Sequence, residues 1–329
     1  MNHFESIYYD SYANNEIRQE YEDCWQSALY TEMQANNDIS FDDSSISVAL
    51  VDRCIRNLNL DKAAGPDELM CEHILYAHPL VVLHLTQLFR SIAIHGYVPE
   101  DFGKGLVVPI IKEKLLNAND LNNYRGITLI PVISKLFELV ILEVGKEYFN
   151  TDELQFGFKA GSGCSHAIFL MTETIKYFLE KGSSVFVAAL DLKKAFDRVS
   201  HLKLFTTLLK KKVPVWIIKS IIGSTQNYQW WYAGKEYIRS FHVKCGVRQG
   251  GPLSPTLFNM FVDDCITDVR GTNAGCQIGE YYMGIIIYAD DILLLSPTIL
   301  GLQSMLDQCS QSLAKKCLEF NAKNVIALL

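Results

Sequence analysis

Two adjacent acids, Asp290 and Asp291, interrupt an otherwise apolar run from Gly284 to Leu295. A third, Asp191, closes the apolar stretch Val185–Leu190. Carboxylates held on buried strands are costly unless a cation neutralises them, so a cation-binding cluster is one reading of the three. Taken singly they also fit plainer roles, a surface turn for Asp290 and Asp291 and a helix N-cap or loop acid for Asp191. Lys112 and Arg125 stand on neighbouring strand-like segments and could form a basic finger. Lysine offers phosphate a mobile point charge, while the planar guanidinium can stack on a base or fork to phosphate. Two solvated side chains would look the same. Gln249, in Gly246-Val-Arg-Gln-Gly-Gly-Pro252, could touch whatever lies over its glycine floor. Lys62, in Asp61-Lys-Ala-Ala-Gly-Pro-Asp67, could hold phosphate or belong to an ordinary helix-to-helix turn.

The elements that position these residues follow from pattern. Ile285–Ile287 and Ile292–Leu295 read as buried strands, which puts the acids at or beside a hairpin turn. Strand side chains alternate faces, so adjacent acids share one site only where a tight turn redirects the chain. Asp191 ends another buried strand, at the strand end where open α/β sheets bind ligands. Leu106–Lys112, with Pro109 marking an edge or bulge, and Tyr124–Ile130 predict a pair of strands. Gln155-Phe-Gly-Phe-Lys-Ala-Gly-Ser-Gly163 precedes a helical pattern through Ile168, Met171, Ile175 and Phe178. Its glycines permit close backbone approach and the helix start favours an anion, although the spacing matches neither common nucleotide loop.

Further helices are expected after Ser44 or Ser47 as cap, over Ile74–Ile94 with a break at Pro79, and over Ile133–Tyr148. Others follow over His201–Lys211, from Pro255 to about Asp268 with Ser254 as cap, and over Leu302–Phe320. A short strand, Asn324–Leu329, comes last.

With 329 residues, 49% hydrophobic and 20% charged, the chain has enough material for two or three subdomains and is not of disordered type. No apolar run reaches the roughly 18 residues that span a bilayer, and the first residues carry no secretory signal. The nine cysteines form no zinc-type spacing, and free thiols in an intracellular compartment, nuclear or cytoplasmic, are expected. The net charge of −7 divides unevenly: residues 1–60 carry 11 acids and 3 bases, the remainder 26 and 27. Bulk charge therefore neither attracts nor repels nucleic acid over most of the chain, and any groove for it must be built locally.

Six segments, in order, resemble the reverse transcriptase domain of non-LTR (LINE-type) retrotransposons. Lys62–Asp67 is similar to the family's opening motif, with Ala64 where Pro is usual. Val108–Lys112 with Asn123–Leu129 resembles its two finger strands, and Gln155-Phe-Gly-Phe158 its extra motif before the palm. Leu190-Asp-Leu-Lys-Lys-Ala-Phe-Asp197, Gly246–Pro255 and Tyr288-Ala-Asp-Asp291 match the three palm motifs. The resemblance implies an α+β right-hand polymerase with a ferredoxin-like antiparallel palm sheet backed by helices. It implies an acidic leader or upstream tail over residues 1–43, fingers over 44–183 and palm over 184–329. It further implies RNA-directed DNA synthesis on a primed RNA template from dNTPs, with Asp191, Asp290 and Asp291 binding two Mg²⁺ ions, Mn²⁺ being able to substitute. Hard carboxylate oxygens suit Mg²⁺, and two such ions can assist in-line phosphoryl displacement. On the same basis Lys112 and Arg125 contact the incoming nucleotide, and Gln249 and Gly250 line its pocket. Phe196 lies under the sugar, where its ring excludes a 2′-hydroxyl.

The chain departs from the family pattern in two places. Asn321 is followed by Ala322, Lys323 and Asn324 where the family shows two residues and then Lys-Thr. The chain also ends where a helical thumb is expected to begin, so the thumb is expected to be missing. The alternative to a polymerase is a non-catalytic retroelement remnant with at most RNA binding. No membrane partner is expected, and the oligomeric state is not specified by the sequence.

Overall fold

The computed structural model describes residues 41–112, 117, 119–120, 123–226, 229–233, 238–321 and 326–328. The acidic leader up to residue 40 and the missing Lys-Thr position lie outside them. Helices α1 (Val48–Arg56), α2 (Cys71–Leu75) and α3 (Leu80–His95) lead into strands β1 (Lys104–Ile111) and β2 (Tyr124–Leu129). Then come α4 (Val132–Val144), α5 (Cys164–Glu180), β3 (Phe186–Asp191), α6 (His201–Lys210), α7 (Val215–Gln226), β4 (Gln229–Ala233) and β5 (Ile238–His242). The remainder comprises α8 (Ser254–Val262), α9 (Asp264–Arg270), the short strands β6 (Gln277–Ile278) and β7 (Tyr281–Tyr282), and β8 (Ile285–Tyr288). Last are β9 (Asp291–Ser296), α10 (Ile299–Lys315) and β10 (Ile326–Leu328). Among the described residues no helix is long and apolar enough to cross a membrane.

Local chemistry accounts for several boundaries. The Ser47 hydroxyl, not Ser44, accepts from Leu50 N at 3.1 Å and caps α1. Pro79 immediately precedes α3 and separates it from α2. The helix expected from Pro255 onwards starts at Ser254 itself and is interrupted at Asp263, giving α8 and α9.

The chain forms two compact units from interleaved segments, residues 1–149 with 200–254 and residues 150–199 with 255–329. A single divide between residues 183 and 184 does not describe them. Strand pairing gives the reason, since β4 and β5 complete a sheet begun by β1, and β9 and β10 complete one begun by β3.

In the first unit the sheet order is β2-β1-β4-β5. β1 runs antiparallel to β2, from Leu106↔Leu129 to Ile111↔Tyr124, and parallel to β4 over Lys104–Val107. Pro109 falls beyond the described β4 ladder, so its missing N–H interrupts no bond there. Phe137 anchors the helical layer, with ring centroids 5.2 Å from Phe89 and 5.8 Å from Phe102. Gly65 fits because a Cβ there would lie 2.6 Å from the Ile130 carbonyl, so the Lys62 loop packs backbone to backbone against the end of β2.

In the second unit the sheet order is β10-β3-β9-β8 and all pairs are antiparallel. Val187, Ile286 and Leu295 turn to one face and pack with Ala167, Met171 and Ile175 of α5. The alternating residues Ala188, Ile292 and Leu294 are buried on the other, where α10 lies against β9 and β3. A central apolar sheet covered on both faces explains why its strands read as near-continuous hydrophobic runs.

Candidate active site

In the second unit, β8 and β9 form the expected hairpin, with Ala289 and Asp290 as its two turn residues. Asp291 opens β9 and stands directly across from Asp191, the last residue of β3. Directly opposed residues project to the same face, so these two carboxylates are neighbours although a long stretch of chain separates them. Burial, and then the nearby Asp191 charge, push the Asp291 carboxyl above its ordinary pKa. Asp290 lies in the turn rather than in the ladder. Asp191 is held on a second side: Asn321 Nδ2 donates to its Oδ2 at 3.1 Å, and Asn321 N to its carbonyl at 2.8 Å.

A pocket of about 210 Å³ opens beside the acids, lined by Ala167, Ile168 and Met171 of α5 and by Asp191, Tyr288 and Asp291 among others. Among the described residues no three His, Cys, Asp or Glu side chains converge as a ready-made metal cage. Mg²⁺ does not require one, because it commonly takes one or two carboxylates and completes its shell with water and phosphate oxygens. A repelling pair of hard oxygen donors with a third acid beside it fits that chemistry.

A raised pKa in the fold means that stability is lost as pH rises through it, because the ionised form is penalised. Asp291→Asn should therefore raise the melting temperature of the metal-free chain at pH 7. The gain should disappear on acidification below about pH 4, where carboxylates are neutral in both chains. Paired melting curves across that range test the sign, and an unchanged or lower melting point at pH 7 would refute the penalty on the ionised form.

Phe196 lies in the short helical turn after β3. Its ring stacks on Phe258 of α8, with centroids 4.4 Å apart at 21°, and meets Phe158 edge-on at 6.0 Å. The segment around Phe158 serves the site in a way the glycine-rich reading missed. Phe156 N donates to Ile287 O and Ile287 N to Leu154 O, both at 2.8 Å, so Leu154–Phe156 lies along the outer edge of β8. Gly157 permits a close approach, but to this chain's own backbone, since a Cβ there would sit 2.4 Å from Ala289 N.

The first unit carries the other candidate residues. Lys112 N bonds to Asn123 O at 2.8 Å, and Arg125 stands opposite Ile110. Residues 110 and 112 share a face, so strand alternation sends the exposed Lys112 and Arg125 to the same side of the hairpin. Gln249 O accepts from Thr128 N at 2.7 Å, which ties the glycine-rich loop to β2. Gly250 has φ +124°, and a Cβ on it would lie 2.7 Å from Thr128 O. Gly250→Ala should cost about 1–3 kcal/mol through backbone strain alone, read as a lowered denaturant midpoint.

The loop is gripped from beneath by a buried ion pair that sequence reading did not single out. Arg248 is fully buried, with Nη1 3.5 Å from Glu138 Oε1 and 3.1 Å from Ser134 Oγ, and Nη2 donating to Ser224 O at 3.0 Å. Glu138 Oε2 accepts from Leu253 N at 3.1 Å. A signal was present, because Glu138 interrupts the apolar face of α4 and Arg248 sits inside a glycine-rich turn. The structure thus brings Asp191, Asp291 and Phe196 into one unit with Asp290, and Lys112, Arg125, Gln249 and Gly250 into the other.

Residues 111–325 match the family model for reverse transcriptase (RNA-dependent DNA polymerase). The Pol polyprotein from the type-1 retrotransposable element R2 of Nasonia vitripennis is 30% identical over 266 residues, which are 78% of this chain and 24% of that protein. The RNA-directed DNA polymerase from the mobile element jockey of Drosophila melanogaster is 28% identical over 280 residues, 82% of this chain and 30% of its own length. The chain thus spans about a quarter to a third of these relatives. Among solved structures, apo telomerase from Candida tropicalis, truncated from its C-terminal domain, superposes with a TM-score of 0.52 at 14% identity. That match covers 76% of this chain and 55% of the telomerase chain, and it establishes a shared fold.

Proposed function

The chain belongs to the reverse transcriptase (RNA-dependent DNA polymerase) family, and from that premise we propose that it extends a DNA primer on an RNA template with dNTPs. It is homologous to the RNA-directed DNA polymerases of non-LTR retrotransposons. The observation that carries the reading is the register pair Asp191↔Asp291 beside the Asp290 turn, two strand-borne acids opposed at the end of a buried sheet. We assign the second unit's sheet to the polymerase palm and the β1–β2 hairpin to its fingers.

Asp191, Asp290 and Asp291 would hold the two Mg²⁺ ions, whose contribution is Lewis-acid activation of the primer 3′-oxygen and neutralisation of charge on the departing pyrophosphate. The chain's own groups bind and orient. Lys112 and Arg125 offer cationic donors to triphosphate and base, and Gln249 with the Gly250 backbone lines the nucleotide pocket. The Phe196 ring, packed against Phe258 and Phe158, would leave no room for a 2′-hydroxyl, which favours dNTP over rNTP.

The test is primer extension on poly(rA)·oligo(dT) with dTTP and Mg²⁺, wild type against Asp290→Ala. Extension by the wild type that is lost in the variant supports the reading. A folded wild-type chain that extends no primer, including one produced with the downstream coding sequence attached, would favour a non-catalytic retroelement remnant.

A further inference from the structure

We propose that Gln155 is a positioning residue, which fixes the Ala289–Asp290 turn and so sets how Asp290 and Asp291 meet Asp191. The inference rests on the metal-site reading above. Gln155 is fully buried, and its Oε1 accepts from two backbone donors at once, Gly157 N at 2.9 Å and Ala289 N at 3.1 Å. Two N–H groups converging on one atom require an acceptor there, which also fixes the orientation of the amide.

The turn needs such a hold. Ala289 has φ +59°, a left-handed conformation that glycine adopts freely and alanine does not. Of the two turn residues only the first has positive φ, and two-residue hairpins of that kind normally place glycine there. A strained residue persists only where its surroundings over-determine it, and here the surroundings are the segment carrying Gln155. That segment is itself anchored. Asn259 Nδ2 donates to Gly157 O at 2.6 Å, and at the base of the segment Asp152 N donates to Asp263 Oδ1 while the Asp152 carboxylate accepts from Arg270. Its far end, Phe158, packs against Phe196. One short run of chain therefore supports both the acidic turn and the ring assigned to sugar discrimination.

Gln155→Met keeps the side chain's volume and removes the acceptor. Gln155→Glu keeps an acceptor oxygen at the same reach whether its carboxyl is ionised or neutral. In the full chain, Mn²⁺ affinity measured by electron paramagnetic resonance should weaken about 10–100-fold in Gln155→Met, the usual effect of losing a residue that orients a metal ligand. Hydrogen exchange at the Ala289 amide in metal-free protein should accelerate by about tenfold or more as its acceptor is lost. Gln155→Glu should restore both to near wild-type values. If wild type binds Mn²⁺ and Gln155→Met binds it equally, this inference alone falls. The same follows if folded Gln155→Glu is as impaired as Gln155→Met, since packing would then explain the loss. A wild-type chain that binds no Mn²⁺ removes the metal site and the inference with it. Should Gln155→Met not fold, Gln155→Asn, polar but one methylene too short, takes its place under the same outcomes.

Discussion

Asp191→Asn should give a folded chain whose nucleotide incorporation is slower by about 10³-fold or more, corresponding to roughly 4 kcal/mol of lost transition-state stabilisation. Asparagine retains an oxygen for the Asn321 amide, which donates to Asp191 Oδ2 in the native chain, and it relieves the opposition to Asp291. The loss should therefore appear in single-turnover rate with no fall in melting temperature. Asn321→Ala should be graded between this variant and wild type. It removes a hydrogen bond that orients the carboxylate but leaves the charge, so a deficit of about 10–100-fold is expected, partly recovered at high Mg²⁺. Equal deficits in the two variants would show that Asn321 does more than orient, and an unaffected Asn321→Ala would show that it does not orient Asp191 at all.

The second large effect concerns stability. Arg248→Met leaves Glu138 buried without its cation and should destabilise the chain by about 3–5 kcal/mol, seen as a lower denaturant midpoint by tryptophan fluorescence. Burial already holds the Glu138 carboxyl above its ordinary pKa despite the opposing pull of Arg248. Its contribution to stability accordingly declines as pH rises through that value, and the deficit of Arg248→Met should shrink in acid, where Glu138 becomes neutral. The double variant Arg248→Met/Glu138→Gln should recover part of the loss, since glutamine can still accept from Leu253 N. Additivity of the two single effects would refute the coupling. Because the pair holds the loop on either side of Gln249 and Gly250, through Arg248 itself and through Leu253 N, weakened dNTP binding is the expected companion, read as a raised KM.

Much of this was legible in the residues. The acidic hairpin, the strand ending at Asp191, the Ser47 cap and the break at Pro79 depend on neighbours in sequence, where alternation, capping and proline geometry act directly. What stayed hidden depends on partners far apart along the chain. The opposition of Asp191 to Asp291 is a matter of register, and nothing in either segment states which strand lies beside which. Gln155 reads as an unremarkable residue in a glycine-rich loop until Ala289 is placed against it. The glycines there were read as letting backbone approach a ligand, whereas the close approach at Gly157 is to backbone of the same chain, and a Cβ added at Gly161 would meet nothing within 4 Å. The interleaving of the two compact units was hidden for the same reason, as a strand joins the sheet that accepts its hydrogen bonds, whatever its place in the sequence.

The interleaving of the two units has a consequence for biosynthesis. The first unit's segments are complete once residue 254 has been made, whereas the second must wait for strands that follow. Strand β3, apolar and ending in Asp191, has neither of its sheet partners when it leaves the ribosome, because β9 and β10 are still untranslated. At about 5–20 residues per second, the delay before β9 appears is on the order of ten seconds. Throughout that interval Val187, Ala188 and Leu190 have open strand edges on both sides, so the strand that carries the first acid is exposed to wrong pairing until β9 arrives.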